Sequence, residues 1–314
     1  MVERFSKGRG EGPAHSRRID DELAIEEPLE IRIGATPLAV VMRTPGADLD
    51  LVRGLLFTEG ILRSRADLRS LGHCRSLPPK APDSARENLV LAELAAGCSF
   101  RPARFRRNLL TTSACGVCSR ATLDQLSARA PSVAGGPLVA ATELATLPDR
   151  LRAEQHTFAT TGGLHAAALF RVRAGRLERL VVREDVGRHN AVDKVIGAAL
   201  LHDLLPLSSC VLQVSGRVSY EIVQKARVAG IPIVSAVSAP STLAVELARD
   251  GNQTLLGFVR AGRFNVYCGR ERVSAVAIPR VPGAIAEAAS APPAPPASRA
   301  ARHRSGTRGR RRAG

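Results

Sequence analysis

Across residues 183–267 the sequence keeps one rhythm: an apolar strand, a short turn of small polar residues, then a helix. Residues 191–201 put Val192, Val195, Ile196, Ala199 and Leu200 on one helical face. Residues 210–214 form an apolar strand, Ser215-Gly216-Arg217 a turn, and Ser219 an N-cap for a helix over 220–229 that Gly230 ends. Residues 231–237 are the next strand, and Ser238-Ala239-Pro240-Ser241 caps a helix over 242–250. Residues 254–259 and 264–267 then close as a hairpin around Ala261-Gly262. Such alternation predicts an α/β domain with a mainly parallel sheet and right-handed crossovers.

The stretch before it reads differently. Residues 1–20 are rich in glycine and charge and are expected to be a disordered tail. Residues 28–33 and 38–43 read as a β-hairpin, and 48–60 as a helix with Asp48 as N-cap and Gly60 past its end. Strand-like runs follow near 68–76 and 87–94, so 21–135 is expected to form a smaller α+β domain. A helical connection over 137–151 leads to Gly162-Gly163, an apolar run over 166–172 and a strand over 177–182. Residues 281–314 are mostly Ala, Pro and Arg and are expected to be a second disordered tail.

Tryptophan is absent and aromatic residues make up 3%, so Leu, Val, Ile and Ala must build the core. No apolar run approaches the roughly 20 residues that span a bilayer, and the charged N-terminus does not read as a secretory signal. No membrane association is expected. Six cysteines with a single close pair are too few for a disulfide scaffold, so a reducing cytoplasm is the expected compartment. Of the net charge of +16, seven arginines against Glu287 place +6 in residues 281–314, leaving +10 for the body. A body that basic suits an anionic partner, although high genomic GC content also enriches arginine.

Ligands of open α/β sheets bind beyond the carboxyl ends of the strands. Three loops there are short and polar: the one through Gly187, Arg188, His189 and Asn190, Ser215-Gly216-Arg217, and the one from Ser238 to Ser241. Their small residues admit a ligand to the backbone, and their N–H groups and arginines suit phosphate. Ordinary capped turns would look the same. His189, with Asp185 and Asp193 four residues to either side, and His165 after the two glycines read equally as acid–base or structural histidines.

Cys115-Gly116-Val117-Cys118 carries the sharpest chemical signal. Arg106, Arg107 and Arg120 and a following helix start favour a thiolate, the nucleophile of disulfide exchange, persulfide chemistry and metal ligation. A zinc site would need a second Cys or His pair, which the spacing does not supply. A thioredoxin-like pair would sit on the first strand–helix junction, whereas about 100 residues precede this one. Sulfur transfer needs one nucleophilic thiolate and uses the second to modulate or resolve it. The pair alone leaves these readings open.

The cysteine pair, Gly162-Gly163-Leu164-His165-Ala166-Ala167, the run from Glu184 to Lys194, Ser215-Gly216-Arg217 and the loop over 235–241 occur in that order. Together they resemble the formate dehydrogenase accessory sulfurtransferase (FdhD) family over about residues 22–275. The resemblance implies a C-terminal cytidine-deaminase-like three-layer domain over 136–280, usually in a homodimer. It implies a sulfurtransferase and molybdenum-cofactor chaperone. Sulfur would pass as a persulfide from a cysteine desulfurase to bis-molybdopterin guanine dinucleotide destined for formate dehydrogenase. Cys115 would be the carrier and Cys118 its partner. By the same resemblance Phe258, Val259, Arg260, Ala261, Gly262 and Arg263 would bind the cofactor, with no resident metal required. From the sheet geometry, and not from the resemblance, the loops at 187–190, 215–217 and 238–241 are expected to hold its guanine nucleotide ends. Ser119 departs from the pattern, since glycine is common there. A carrier or tether with dispensable cysteines is the alternative, and nucleic-acid binding through the arginine tail is not favoured.

Overall fold

The computed structural model describes residues 1–6, 15–74, 87–98, 100 and 131–276. The expected tail over 281–314 and the Cys115–Cys118 pair lie outside them. Strands β1 (Val2–Ser6) and β2 (His15–Ile19) pair antiparallel, from Val2 opposite Ile19 to Ser6 opposite His15. The expected N-terminal tail is corrected at these ten residues. Their side chains are almost all exposed, so ladder hydrogen bonds order them and no buried apolar pattern announces them.

The hairpin of β3 (Glu27–Ile33) and β4 (Thr36–Arg43) and helix α1 (Asp48–Thr58) follow the sequence closely. Asp48 does not cap α1. Ala47 holds that position in the left-handed region at φ 53°, and the Asp48 carboxylate instead takes a bidentate pair from buried Arg43 at 3.0 and 2.9 Å. β5 (Leu68–His73) and β6 (Leu89–Leu94) complete a four-stranded sheet in the order β4-β3-β6-β5.

The second half opens with β7 (Val139–Ala140) and the short helices α2 (Ala141–Ala145), α3 (Leu147–Arg152) and α4 (His156–Thr161). The β8 (His165–Arg173) and β9 (Arg176–Asp185) hairpin is followed by helix α5 (Arg188–Leu201). Then come β10 (Cys210–Val214), α6 (Tyr220–Val228), β11 (Ile233–Ala236), α7 (Thr242–Asp250), β12 (Thr254–Arg260) and β13 (Arg263–Cys268). β14 (Val273–Ser274) runs beside β7. The six-stranded sheet has the order β13-β12-β11-β10-β8-β9.

Within this six-stranded sheet only β10–β11 and β11–β12 are parallel pairs, so the expected mainly parallel sheet is corrected to a mixed one. The strand–helix rhythm does build the parallel centre. Tight connections at Ala174-Gly175 and Ala261-Gly262 then force antiparallel partners onto both flanks.

Helices cover both sheet faces. Leu144, Leu147 and Leu151 of α2 and α3 pack on Ala166, Ala168, Phe170, Val211, Ile233 and Leu256. On the other face, α5, α6 and α7 share one core with α1 and the four-stranded sheet, from Leu29 and Leu51 to Val195, Ile222 and Leu255. The two halves of the chain are thus joined by packing. Glycines set that contact: a Cβ on Gly54 of α1 would lie 1.8 Å from the Asp193 carbonyl oxygen, and one on Gly197 of α5 1.9 Å from that of Asp50. Gly197→Ala is therefore expected to destabilise the fold by about 2 kcal/mol or more. Equilibrium urea unfolding measures this, and a loss under about 0.5 kcal/mol would contradict the close helix contact.

Candidate functional site at the sheet edge

The pairing brings widely separated stretches to one rim. β9, β10, β11 and β12 all end at the same edge of the sheet, and β8 begins there. That rim carries His165, the turn into α5 at Gly187 and Arg188, Ser215-Gly216-Arg217, the loop over 238–241 and the hairpin tip at 260–263. Every described residue singled out for cofactor binding lies on or beside this edge.

Their side chains divide into two groups. Arg217, Ser241, Arg260, Ala261, Gly262 and Arg263 are exposed, and Arg188, Ser215, Gly216, Ser238 and Phe258 are half-buried. Arg188 Nε is buried without a hydrogen-bond partner among the described residues. By contrast, Asn190 Nδ2 donates to the Met42 carbonyl and to Asp185, and Val259 is core. His189 is nearly buried, with Nε2 2.9 Å from Ser219 Oγ and 2.8 Å from Glu221 Oε2. Thus Ser219 occupies the expected N-cap position of α6 while its hydroxyl turns to His189 and Glu221. Burial alone would raise the Glu221 carboxyl. The hydrogen bond and charge of His189, with Ser219 and Lys225, hold it below its ordinary value.

The carboxylates of the run from Glu184 to Lys194 are structural. Asp185 is fully buried. It accepts from Thr44 N, Gly187 N and Asn190, and pairs with Lys194 at 2.7 Å. Lys194 also donates to the carbonyls of Thr44 and Glu184. Glu184 caps α4 by accepting from Thr157 N and Phe158 N at 3.0 and 2.8 Å. Asp193 takes both oxygens to Lys225 at 2.8 Å and accepts from Thr58 of α1. These pairs lock α5 against the first half of the chain and set where Arg188 stands.

Near the rim's centre, His165 meets the backbone of Gly216 so closely that a Cβ there would lie 3.3 Å from its Nδ1. Burial and the charges of Arg188, His189 and Arg217 hold this imidazole below its ordinary value, with Asp185 opposing. At the neighbouring strand end, where the β12–β13 register breaks, Phe258 adopts φ 53° and its N–H donates to the Ser238 carbonyl in the loop after β11. A non-glycine residue in that region stores strain, a feature that clusters at ligand sites. Glu221 is the participant that sequence reading missed. Its partner His189 lies 32 positions away, beyond any local pattern. Among the described residues no group of three or more His, Cys, Asp or Glu side chains is placed to hold a metal ion, and no helix is long and apolar enough to cross a membrane.

Fold and edge together define a mixed α/β protein with a cationic rim at the carboxyl ends of its central strands. The profile of the FdhD/NarQ family matches residues 24–274, and the chain belongs to that family. It is 50% identical over 258 residues to the sulfur carrier protein FdhD of Streptomyces coelicolor, covering 81% of this chain and 89% of that one. The protein of the same description from Nocardia farcinica is 49% identical over 268 residues, with 84% and 92% covered. A crystal structure of a candidate formate dehydrogenase accessory protein from Desulfotalea psychrophila superposes with a TM-score of 0.63 at 22% identity. It covers 87% of this chain and 99% of that one, and so shares the fold.

The Asp193–Lys225 pair gives a direct test of how the rim is positioned. Lys225→Met is expected to cost about 3–5 kcal/mol by leaving Asp193 buried and unpaired. The double variant Asp193→Leu/Lys225→Met should recover a large part of that loss in denaturant unfolding. Equal losses in the two variants would contradict the pairing.

Proposed function

We propose that this chain is a sulfur carrier for the maturation of a formate dehydrogenase. Over 258 aligned residues the chain is 50% identical to a relative described as a sulfur carrier protein, and that likeness carries the reading, with a family match over 24–274 that includes both the cysteine pair and the rim. Cys115 is the persulfide carrier and Cys118 its partner. The Cys115 thiolate attacks the outer sulfur of a desulfurase persulfide. A new S–S bond forms on Cys115, the old one breaks, and the desulfurase thiolate leaves, with no net redox change. Attack of the Cys118 thiolate on the inner sulfur then releases sulfide for the acceptor. The resulting Cys115–Cys118 disulfide is returned to thiols by a cellular dithiol.

The acceptor is the molybdenum of bis-molybdopterin guanine dinucleotide, held as cargo. Arg188, Arg217, Arg260 and Arg263, with the N–H groups of the small-residue loops, give the rim the donors that a dinucleotide diphosphate needs. The strained backbone at Phe258 and its pairing with Ser238 fix how the 258–263 hairpin meets that cargo. The six-stranded sheet, with helices on both faces, is of the cytidine-deaminase type and binds the nucleotide without deaminating it. Two such chains form the working unit.

Intact-protein mass spectrometry after incubation with a cysteine desulfurase and cysteine tests the chemistry. Wild type should gain about one sulfur mass, and Cys115→Ala none. A folded wild type that gains none would overturn transfer and leave a carrier whose cysteines are dispensable.

A further inference from the structure

The rim has one titratable ring without a partner of its own. Neither ring nitrogen of His165 has a hydrogen bond among the described residues. Among the described residues, the carboxylates at this rim are already engaged. Asp185, opposite it in the β8–β9 register, is held by Lys194, Gly187 N, Asn190 and Thr44 N. Glu184 is bonded to Thr157 N and Phe158 N, and Glu221 to His189 and Ser219. The other groups whose charge acts on the ring, Arg188, His189 and Arg217, are cationic, and Arg188 Nε is itself unpartnered among the described residues. Gly216 leaves the ring's flank clear of side chain, since even a Cβ would press on Nδ1 and Cε1.

We propose that His165 is an anion-binding residue of this rim, and that a diphosphate ester seated there is met by an imidazole that takes up one proton from solvent. This rests on the assignment of the rim to the nucleotide ends of the cargo. In the free protein the surrounding cations and burial keep the ring neutral, so repulsion from Arg188 and Arg217 is not increased. Two negative charges in hydrogen-bond range reverse that local field and favour the imidazolium. The sign of the pH dependence follows. Between the free and the bound titration midpoints, binding consumes a proton, so affinity falls as pH rises. Below the first midpoint and above the second it is flat. Cargo capture thereby carries a switchable positive charge that disappears once the diphosphate leaves.

GDP-mannose is a suitable probe, because its diphosphate diester keeps a fixed charge through the neutral range. Calorimetric titration in buffers of different ionisation enthalpy should show net proton uptake. Wild-type affinity should fall at least about threefold between about pH 6 and about pH 8. In His165→Gln, with folding checked by circular dichroism, the proton uptake and the pH dependence should both vanish. In histidine NMR the ring signal missing from that variant should titrate at higher pH once GDP-mannose is added. Binding with an unmoved His165 titration, or a pH dependence that survives in His165→Gln and so belongs to His189 or Glu221, overturns this inference alone. No binding of GDP-mannose at any pH removes the nucleotide assignment of the rim and this inference with it.

Discussion

The buried Asp185 carboxylate is the contact on which the rest of the rim depends. It closes the end of β9, accepts from Gly187 N and from the Asn190 side-chain amide at the start of α5, pairs with Lys194 of the same helix, and accepts from Thr44 N in the first half of the chain. A carboxylate with no exposed surface is tolerable only when each lone pair is used and the charge is matched. Both conditions hold here. The consequence is geometric: Gly187 and Arg188 cannot move independently of either sheet.

A second layer of the same design lies behind it. Asp193 and Lys225 tie α5 to α6, while Thr58 brings in α1. The glycine contact of α1 with α5 lets these groups meet. Charged residues of the run from Glu184 to Lys194 therefore serve mainly as struts, and the residue they present is Arg188.

Much of this was legible from residue order. Period-two alternation gave β3 and β4, periodic apolar faces gave α1 and α5, and Ser241 caps α7 through its hydroxyl as its position suggests. Small-residue loops after the strands marked the rim. Other features left no local trace. The β1–β2 ribbon is backbone pairing with exposed side chains, and the antiparallel flanks follow from two tight turns. For His189 and Asn190, in a polar loop after a strand, the sequence leaves ligand and structural roles equally open. Their side chains are instead taken up by Glu221 and Ser219, and by Met42 and Asp185, partners fixed only by tertiary structure.

Loading of sulfur on Cys115 and delivery through the rim should be separable. The direct measurement is formate dehydrogenase activation by purified Arg188→Ala/Arg217→Ala protein supplied with desulfurase, cysteine and cofactor, with its persulfide followed by mass spectrometry in the same reaction. A sulfur carrier whose cargo sits on the rim loads persulfide as wild type does and fails to activate the enzyme. Activation at the wild-type level by the doubly substituted rim would contradict it.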